Sequence, residues 1–420
     1  MRDLTRHLVL FLLLFAAAWC CYAFAVRLVL RSDELDRPST IATMVVVGVA
    51  ARLLLLSAAP TLSDDLYRYV WEGEVLAHGL SPYALPPAAP ALAPFRDAIW
   101  PHVNNPTVTS PYPPLAQVVG LVEAKVFPHS AFGPKFTAMV FDLATWLTLC
   151  VLLRRRHLPL RRSLIYAWNP LVLLVFSLSG HNDSLMLFLL LAALAIGDDA
   201  PVAGGVMLGV AVLAKTTPLL ALPLVWRKWG TPAALVTLVV IVAGYAPFIL
   251  LGRGAVGSLP FYLATFADND SVHAVIRELV AVARPDLAAV VAKGVTAALF
   301  GSGLLALLIV PRLRRQPLWW QVYVALALSL VLASTVHAWY VTWLLPFLAL
   351  RLQGDDRWRA FRPLPSVGWF VFSALVALPY LTSADHMWHL WISTLEYVPL
   401  YLFLLLGVLR LRPLSLSSRP

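Results

Sequence analysis

The sequence predicts an all-α, polytopic transmembrane helical bundle, and three observations carry that expectation. Of 420 residues, 60% are hydrophobic and 13% are charged, about half the charged fraction of a soluble domain. Mean hydropathy is +0.78. The apolar residues form long runs rather than the alternation of a membrane β-barrel, and a run of about 20 residues spans a bilayer.

Apolar runs cover Leu8–Val26, Ile41–Ala59, Phe132–Leu153, Ser163–Ser179, Ser184–Ile196, Val202–Leu213, Thr217–Trp226, Pro232–Leu251, Leu287–Val310, Leu318–Ser334, Tyr340–Leu350, Val367–Leu381 and Leu390–Leu409. Roughly 11–13 membrane helices are expected, short broken ones included. The first run follows Arg2 and Arg6 and ends near a small-residue AFA, as a signal peptide would. It is too long for a typical signal-peptide apolar region and is read as a retained helix. All of residues 1–420 is expected to form a single integral membrane domain.

Net charge is +10, but the basic residues cluster between apolar runs, where they set topology rather than bind nucleic acid. Arg154–Arg156 with Arg161 and Arg162, Arg227 with Lys228, Arg312 with Arg314 and Arg315, Arg351 through Arg362, and Arg410 with Arg412 are therefore assigned to the cytoplasm. Alternating with them are loops rich in acids, aromatics and histidines: Thr61–Ser110, Gly180–Asp183, Gly252–Asp286, Val336–Tyr340 and Thr382–His389. These are assigned to one outer side. The loop Arg27–Pro38 holds three arginines and three acids and leaves the side of the N-terminus open. Cys20, Cys21 and Cys150 lie inside apolar runs, so they imply neither a disulfide framework nor a metal site.

A large outer loop, residues 60–131, follows the second run. It contains the Pro-rich passage Pro82–Pro114 and an apolar segment, Tyr112–Phe127. Counting that segment as a crossing would move the Arg154 cluster outside, so it is read as a surface or re-entrant helix. Val202–Trp226 is interrupted by Lys215, Thr216, Thr217 and Pro218. It is read as a broken helix pair, because irregular backbone at membrane depth survives only when buried or lining a cavity.

The loop opens with LSDDLYRYVWEGEVLAHGLSPY, Leu62–Tyr83, which gathers more ionisable groups than an interfacial aromatic belt explains. Asp64 or Asp65, half-desolvated at a membrane boundary, is a candidate general base; Ser63 or Asp64 alternatively caps the following helix. Arg68, Tyr69 and Glu72 behind them are candidate substrate contacts. Arg52, inside an apolar run, would meet a lipid phosphate or pair with Asp142, also mid-run. Lys215 needs an anion, a phosphate or a carboxylate. His181 and Asp183, in the turn GHND, either cap a helix or touch substrate. His337, Trp339 and Tyr340 form either a belt or a site in which His337 bonds a phosphate or sugar and Trp339 stacks on a pyranose. Asp385, His386 and His389 have no closed metal spacing, and no metal ligand set is assigned.

The segments SDDLYRYVWEGEVLAHGLSPY, SPYPPLAQ, YAWNPLVLLVFSLSGHNDSL, LAKTTPLLALPLVW and HAWYVTWLLPFLAL occur in that order between about Ile41 and Leu350. In this the chain resembles bacterial polytopic glycosyltransferases of the C class, close to the polyprenyl-phosphate-mannose-dependent mannosyltransferases and the related family 87 membrane proteins. The resemblance implies a multi-pass protein of the bacterial inner (cytoplasmic) membrane with its active site facing the periplasm. It implies transfer of a hexose, mannose first, from a polyprenyl-phosphate sugar to a cell-envelope glycan or glycolipid acceptor, with inversion. Asp65 takes the position of the family's acidic base, with Asp64 beside it. Lys215 and His337 match the positions near the donor phosphate more loosely, and Arg68 or Arg52 would add to the charge there. No obligatory cofactor is implied; a divalent metal requirement stays open. No nucleotide-cradling glycine loop is present, which suits a lipid donor held among membrane lipids. Two other readings remain: a transporter or flippase of a lipid-linked or small anionic substrate, which would share the broken helices and buried lysine, and a non-catalytic assembly partner.

Overall fold

The structure is a computed structural model that describes residues 7–250, 256–353, 363–383 and 390–410. The basic stretch 354–362 and the Asp385, His386 and His389 cluster lie outside the described residues. Its helices are α1 Leu8–Val29, α2 Pro38–Leu56, α3 Asp65–Ala77, α4 Pro114–Val126, α5 Phe132–Arg155, α6 Asp183–Ile196, α7 Pro201–Ala214, α8 Leu222–Trp229, α9 Thr231–Leu250, α10 Ala288–Ile309, α11 Leu318–Leu332, α12 Leu364–Leu375 and α13 Leu390–Arg410. A ten-residue helix, Val272–Ala281, and shorter turns of helix lie between them.

Among the described residues, seven segments are long and apolar enough to cross a membrane: α1, α2, α5, α9, α10, Leu364–Thr382 and α13. Their outward faces carry exposed Leu, Val, Ile and Phe side chains, such as Leu54, Leu147, Val242 and Val290. A water-soluble surface would not be built this way, but lipid tails solvate it. The chain is a polytopic all-α membrane bundle, and among the described residues it has no strand, only an isolated bridge between Asp268 and Thr335.

Among the described residues the helices are interrupted at two polar sites: the GHND turn, expected as a tight turn between two helices, and residues 215–218, expected as a break. Pro170–Leu178 and α6 are bent by 119° at the turn between them. Gly180 makes that turn with φ +69°, and a Cβ there would lie 2.6 Å from Leu66 Cδ1, so only glycine fits. α7 stops at Lys215, whose backbone is extended (φ −157°, ψ 141°), and a 3-10 turn Thr217–Ala221 leads into α8.

The two kinds of loop gather at opposite ends of the bundle. At the basic end, Arg155 pairs with Asp199 at 2.6 Å, Arg227 donates to Gln321 at 2.6 Å and Arg162 donates to the Leu352 carbonyl. The mixed loop after α1 joins this end, through Arg161 to Asp33 at 2.5 Å and to the Val29 carbonyl at 2.8 Å. The start of α1 therefore sits at the other end, where Phe11 meets Tyr380. That second end holds α3, α4 and the long loop between them. α3 and α4 cross closely: a Cβ on Gly73 would come within 2.2 Å of the Gly120 carbonyl oxygen.

Arg52 resolves to its structural alternative. Both Arg52 and Asp142 are fully buried, with Arg52 Nε 2.6 Å from Asp142 Oδ2 and Nη2 3.2 Å from Oδ1. Nη1 donates to the Gly48 and Ala167 carbonyls at 2.9 and 2.8 Å, and Tyr166 donates to Asp142 Oδ1 at 2.7 Å. The guanidinium ties α2 to α5 and to the chain before the first break, and it is fully buried with its bonds made inside the protein. Arg52→Met alone strands a buried carboxylate and is expected to destabilise the protein by about 3–5 kcal/mol, seen as a lowered Tm. Arg52→Met with Asp142→Leu removes both charges and is expected to recover most of that loss; a single variant as stable as wild type would refute the pairing.

Candidate active site

α3 begins where the chain leaves the bundle, and its first turn carries the acids. Asp64 precedes the helix and is exposed; Asp65 is its first residue, and 20% of its side chain is exposed. The Asn104 side-chain amide donates to both, at 2.9 Å to Asp64 Oδ1 and 2.7 Å to Asp65 Oδ1. Asp64 does not cap α3 with its side chain; the Asp65 N–H reaches Ser63 Oγ at 3.4 Å. Burial, helped by the Asp64 charge, pushes the Asp65 carboxyl up to about 6, against the opposing pull of Asn104, Lys215 and Arg68.

Asn104 is held by Arg68, one turn along α3, which is in turn held by Glu72, two turns along. Arg68 donates Nε to Glu72 at 2.7 Å and uses Nη1 and Nη2 on the carbonyls of Asn104, Asn105 and Val108 at 3.2, 3.1 and 2.6 Å. Glu72 also accepts from Ser110 at 2.6 Å and Gln117 at 2.7 Å. Arg68 and Glu72, expected as substrate contacts, thus fold the Pro-rich loop back over α3. Glu72 is buried behind the cavity, while Arg68 forms part of its wall. Tyr69 lines the cavity beside Tyr112, their ring centroids 5.0 Å apart.

The two breaks supply the opposite wall. Lys215 Nζ lies 2.6 Å from Asp183 Oδ1, which also accepts the Trp343 indole N–H at 2.7 Å. The anion that Lys215 needs is therefore a carboxylate of the other break. The ammonium faces the rings of Tyr340 at 4.8 Å and Trp343 at 5.4 Å, and 20% of the side chain remains exposed. Trp339 is stacked between two imidazoles, His181 at 4.0 Å and His337 at 4.3 Å. His181 is buried, 3.9 Å from Asp65 through Nδ1, and neither of its ring nitrogens has a hydrogen-bond partner among the described residues. His337 faces the cavity; burial and the Lys215 charge lower it to about 3, so it is neutral near pH 7. Tyr340 meets the Tyr262 hydroxyl at 3.1 Å. Neither Asn182 nor Asp183 caps α6 with its side chain.

Asp64, Asp65, Arg68, Tyr69, Lys215, His337, Trp339 and Tyr340 all line one cavity of about 540 Å³. Glu72, His181 and Asp183 lie directly behind its walls, and Arg52 lies elsewhere. Leu220, Leu259, Phe261, Leu263, Phe266 and Leu330 make its other end apolar. A second cavity of about 330 Å³ shares Leu220, Leu263, Ser329, Ala333 and Ser334 with the first and continues along α10 past Lys293, Thr296, Ala297 and Phe300, where Lys293 donates to the Leu263 carbonyl at 2.7 Å. Sequence reading missed Asn104, Tyr262 and Trp343. Trp343 was within reach of it, one turn after Trp339 in HAWYVTW; Asn104 gave no signal beyond being polar in a Pro-rich loop.

Residues 3–231 match the family model described as alpha-(1→6)-mannopyranosyltransferase, N-terminal domain. The chain is also similar to alpha-(1→6)-mannopyranosyltransferase A of Mycobacterium tuberculosis, 32% identical over 184 residues, which cover 41% of this chain and 34% of that protein. The match thus spans about a third of that relative's own length. No solved structure matches. The family match includes the acidic loop, both breaks and Lys215, and ends before His337.

A carboxyl raised in the fold favours its protonated form there, so an ionised Asp65 costs stability at pH values above about 6. Below the unfolded value that cost is absent. Asp65→Asn is expected to raise Tm at pH 7.5 by roughly 2–4 °C, with a narrower gap at pH 5. An unchanged or lowered Tm at pH 7.5 would contradict the raised carboxyl.

Proposed function

The chain belongs to the alpha-(1→6)-mannopyranosyltransferase family, and from that premise we propose that it transfers mannose from a polyprenyl-phosphate donor to a glycan or glycolipid hydroxyl in the cell envelope. The observation that carries this reading is the two-ended cavity: acids, an ammonium and stacked aromatics at one end, and at the other Leu220, Leu259, Phe261, Leu263, Phe266 and Leu330, from which a second cavity runs toward α10. A lipid-linked sugar needs both, since its chain belongs in hydrocarbon and its phosphate and sugar belong among polar groups.

In this reading Asp65 is the base. Its carboxylate takes the proton from the acceptor hydroxyl as that oxygen bonds to the anomeric carbon. The bond from that carbon to the phosphate oxygen breaks, and the polyprenyl phosphate leaves with the electron pair. Attack from the face opposite the leaving group inverts the centre, so an α product requires a β-linked donor. Lys215 has three donors; one is on Asp183, which leaves two for phosphate oxygens as charge develops there. Neutral His337 donates or accepts a hydrogen bond without adding charge. Trp339 and Tyr340 line the cavity, and because His181 and His337 cover Trp339 and Trp343 covers Tyr340, they would meet the pyranose through ring edges rather than stacked faces. Asn104 keeps Asp65 aimed into the cavity, and Asp64, exposed on the same amide, raises the basicity of its neighbour. The site would face the periplasm, the side on which lipid-linked sugars are used by the enzymes it resembles.

The test is transfer of labelled mannose from polyprenyl-phosphate mannose to an oligomannoside in membranes with matched protein levels. Wild type is expected to transfer, and Asp65→Asn to lose at least about 100-fold, the usual worth of a positioned base. Wild-type transfer is expected to fall as pH drops through about 6, where Asp65 takes up its proton. Equal transfer by both proteins would remove Asp65 from the chemistry. Movement of the intact lipid-linked sugar across the membrane without transfer would replace this reading by a flippase.

A further inference from the structure

On the far side of α3 from the candidate active site, three elements bring together side chains that are distant in the sequence. Glu74 comes from α3, Asp97 from the Pro-rich loop and His129 from the turn between α4 and α5. His129 Nδ1 lies 2.6 Å from Asp97 Oδ2 and 3.0 Å from Glu74 Oε1. All three ligand atoms fall within 4.8 Å of one another. We propose that Glu74, Asp97 and His129 bind a zinc-type divalent cation that clips the outer loop to α3 and to the α4–α5 turn.

Charge balance makes the first argument. Glu74 is buried, its side chain 8% exposed, and Asp97 is 21% exposed. Among the described residues no lysine or arginine pairs with either. A buried carboxylate takes up a proton or pairs with a counter-charge, and one imidazolium balances only half of two carboxylates. A divalent cation with a neutral imidazole balances both.

Geometry makes the second. The present separations are those of hydrogen bonds, with a proton between the groups. A tetrahedral ion with bonds near 2.0 Å holds its ligand atoms about 3.3 Å apart. The set must therefore open by roughly half an ångström, which the His129 side chain, 60% exposed, can supply. That exposure also leaves the fourth position to water. The orientation of Asp97 is already fixed from behind: its second oxygen accepts the Ile99 and Trp100 N–H groups at 2.9 and 3.2 Å, while the His129 N–H holds the Glu74 ligand oxygen itself at 2.7 Å. Such supporting bonds are what a metal ligand set requires. An imidazole nitrogen among the ligands favours zinc and its neighbours over magnesium or calcium.

The proposal stands whether or not the chain transfers mannose. Its test is zinc content and affinity of the tag-free, full-length protein in detergent, with Cys20 and Cys21 replaced by Ser to silence exposed thiols. After chelator treatment and dialysis against zinc chloride, about one zinc per chain is expected, with a rise in Tm. His129→Ala and Asp97→Asn are each expected to weaken binding roughly 10-fold or more; the latter keeps an oxygen for the Ile99 and Trp100 N–H groups, so the loop keeps its shape. Cobalt is expected to give the visible absorption of a tetrahedral site. No bound zinc, or the same zinc in wild type and both variants, would overturn the proposal and leave His129 as a protonated bridge between two acids.

Discussion

The ion pair between Asp183 and Lys215 is the constraint from which the site takes its shape. Each residue stands at a place where a membrane helix has stopped. A lysine and an aspartate buried separately at such depth would each be costly. Joined at 2.6 Å, with the Trp343 indole as a third partner, they make both breaks tolerable and fix them against each other. The turn before Asp183 then presents His181 next to Asp65, and the extended backbone at Lys215 brings its ammonium under the rings of Tyr340 and Trp343. The cavity is the space left between these two breaks and the first turn of α3.

α3 shows how scaffold and chemistry divide along one helix. Asp65 faces the cavity, whereas Arg68 and Glu72, one and two turns on, spend their bonds on the loop that returns over the helix. That loop delivers Asn104 to the acids. The charged residues crowded into SDDLYRYVWEGE are therefore not a row of substrate contacts. Asp64 and Asp65 line the cavity, and Arg68 and Glu72 hold the loop that brings Asn104 to them. The raised Asp65 carboxyl is the energetic mark of this arrangement: the fold holds a group in a form it does not prefer, as active sites do when a base must work near neutral pH.

The membrane architecture was legible because bilayer crossing is written into composition. Runs such as Leu8–Val26 and Phe132–Leu153 became α1 and α5 with ends moved by only a few residues, and KTTP marked the α7 break because lysine, threonines and proline cannot continue a buried apolar helix. What could not be read was who pairs with whom. Arg52 was open between a phosphate and Asp142, 90 residues away, and Lys215 between a phosphate and a carboxylate. Only the fold places Asp142 and Asp183 against them. Asp64 and Asp65 are chemically identical in the sequence; their difference in exposure arises from α3 starting between them. The Glu74, Asp97 and His129 cluster was invisible for the same reason, since a metal spacing can be recognised only when its ligands are close in the chain.

These pairings also bear on how a charged leaving group would be handled. Arg68 lines the cavity but has its donors on Glu72 and three carbonyls, and His337 is held neutral by burial and by Lys215. Positive charge at the cavity thus comes from Lys215, and in the resting protein Asp183 offsets it. A phosphate that drew the ammonium toward itself would loosen that pair and leave the buried Asp183 carboxylate leaning on the Trp343 N–H. Under the proposed reading, a phosphate would meet an ammonium already partly neutralised, and its attraction to Lys215 would grow as its oxygens gain charge. That is the differential binding by which a site favours bond breaking over mere occupancy. It follows from two helix breaks meeting, not from any single residue type.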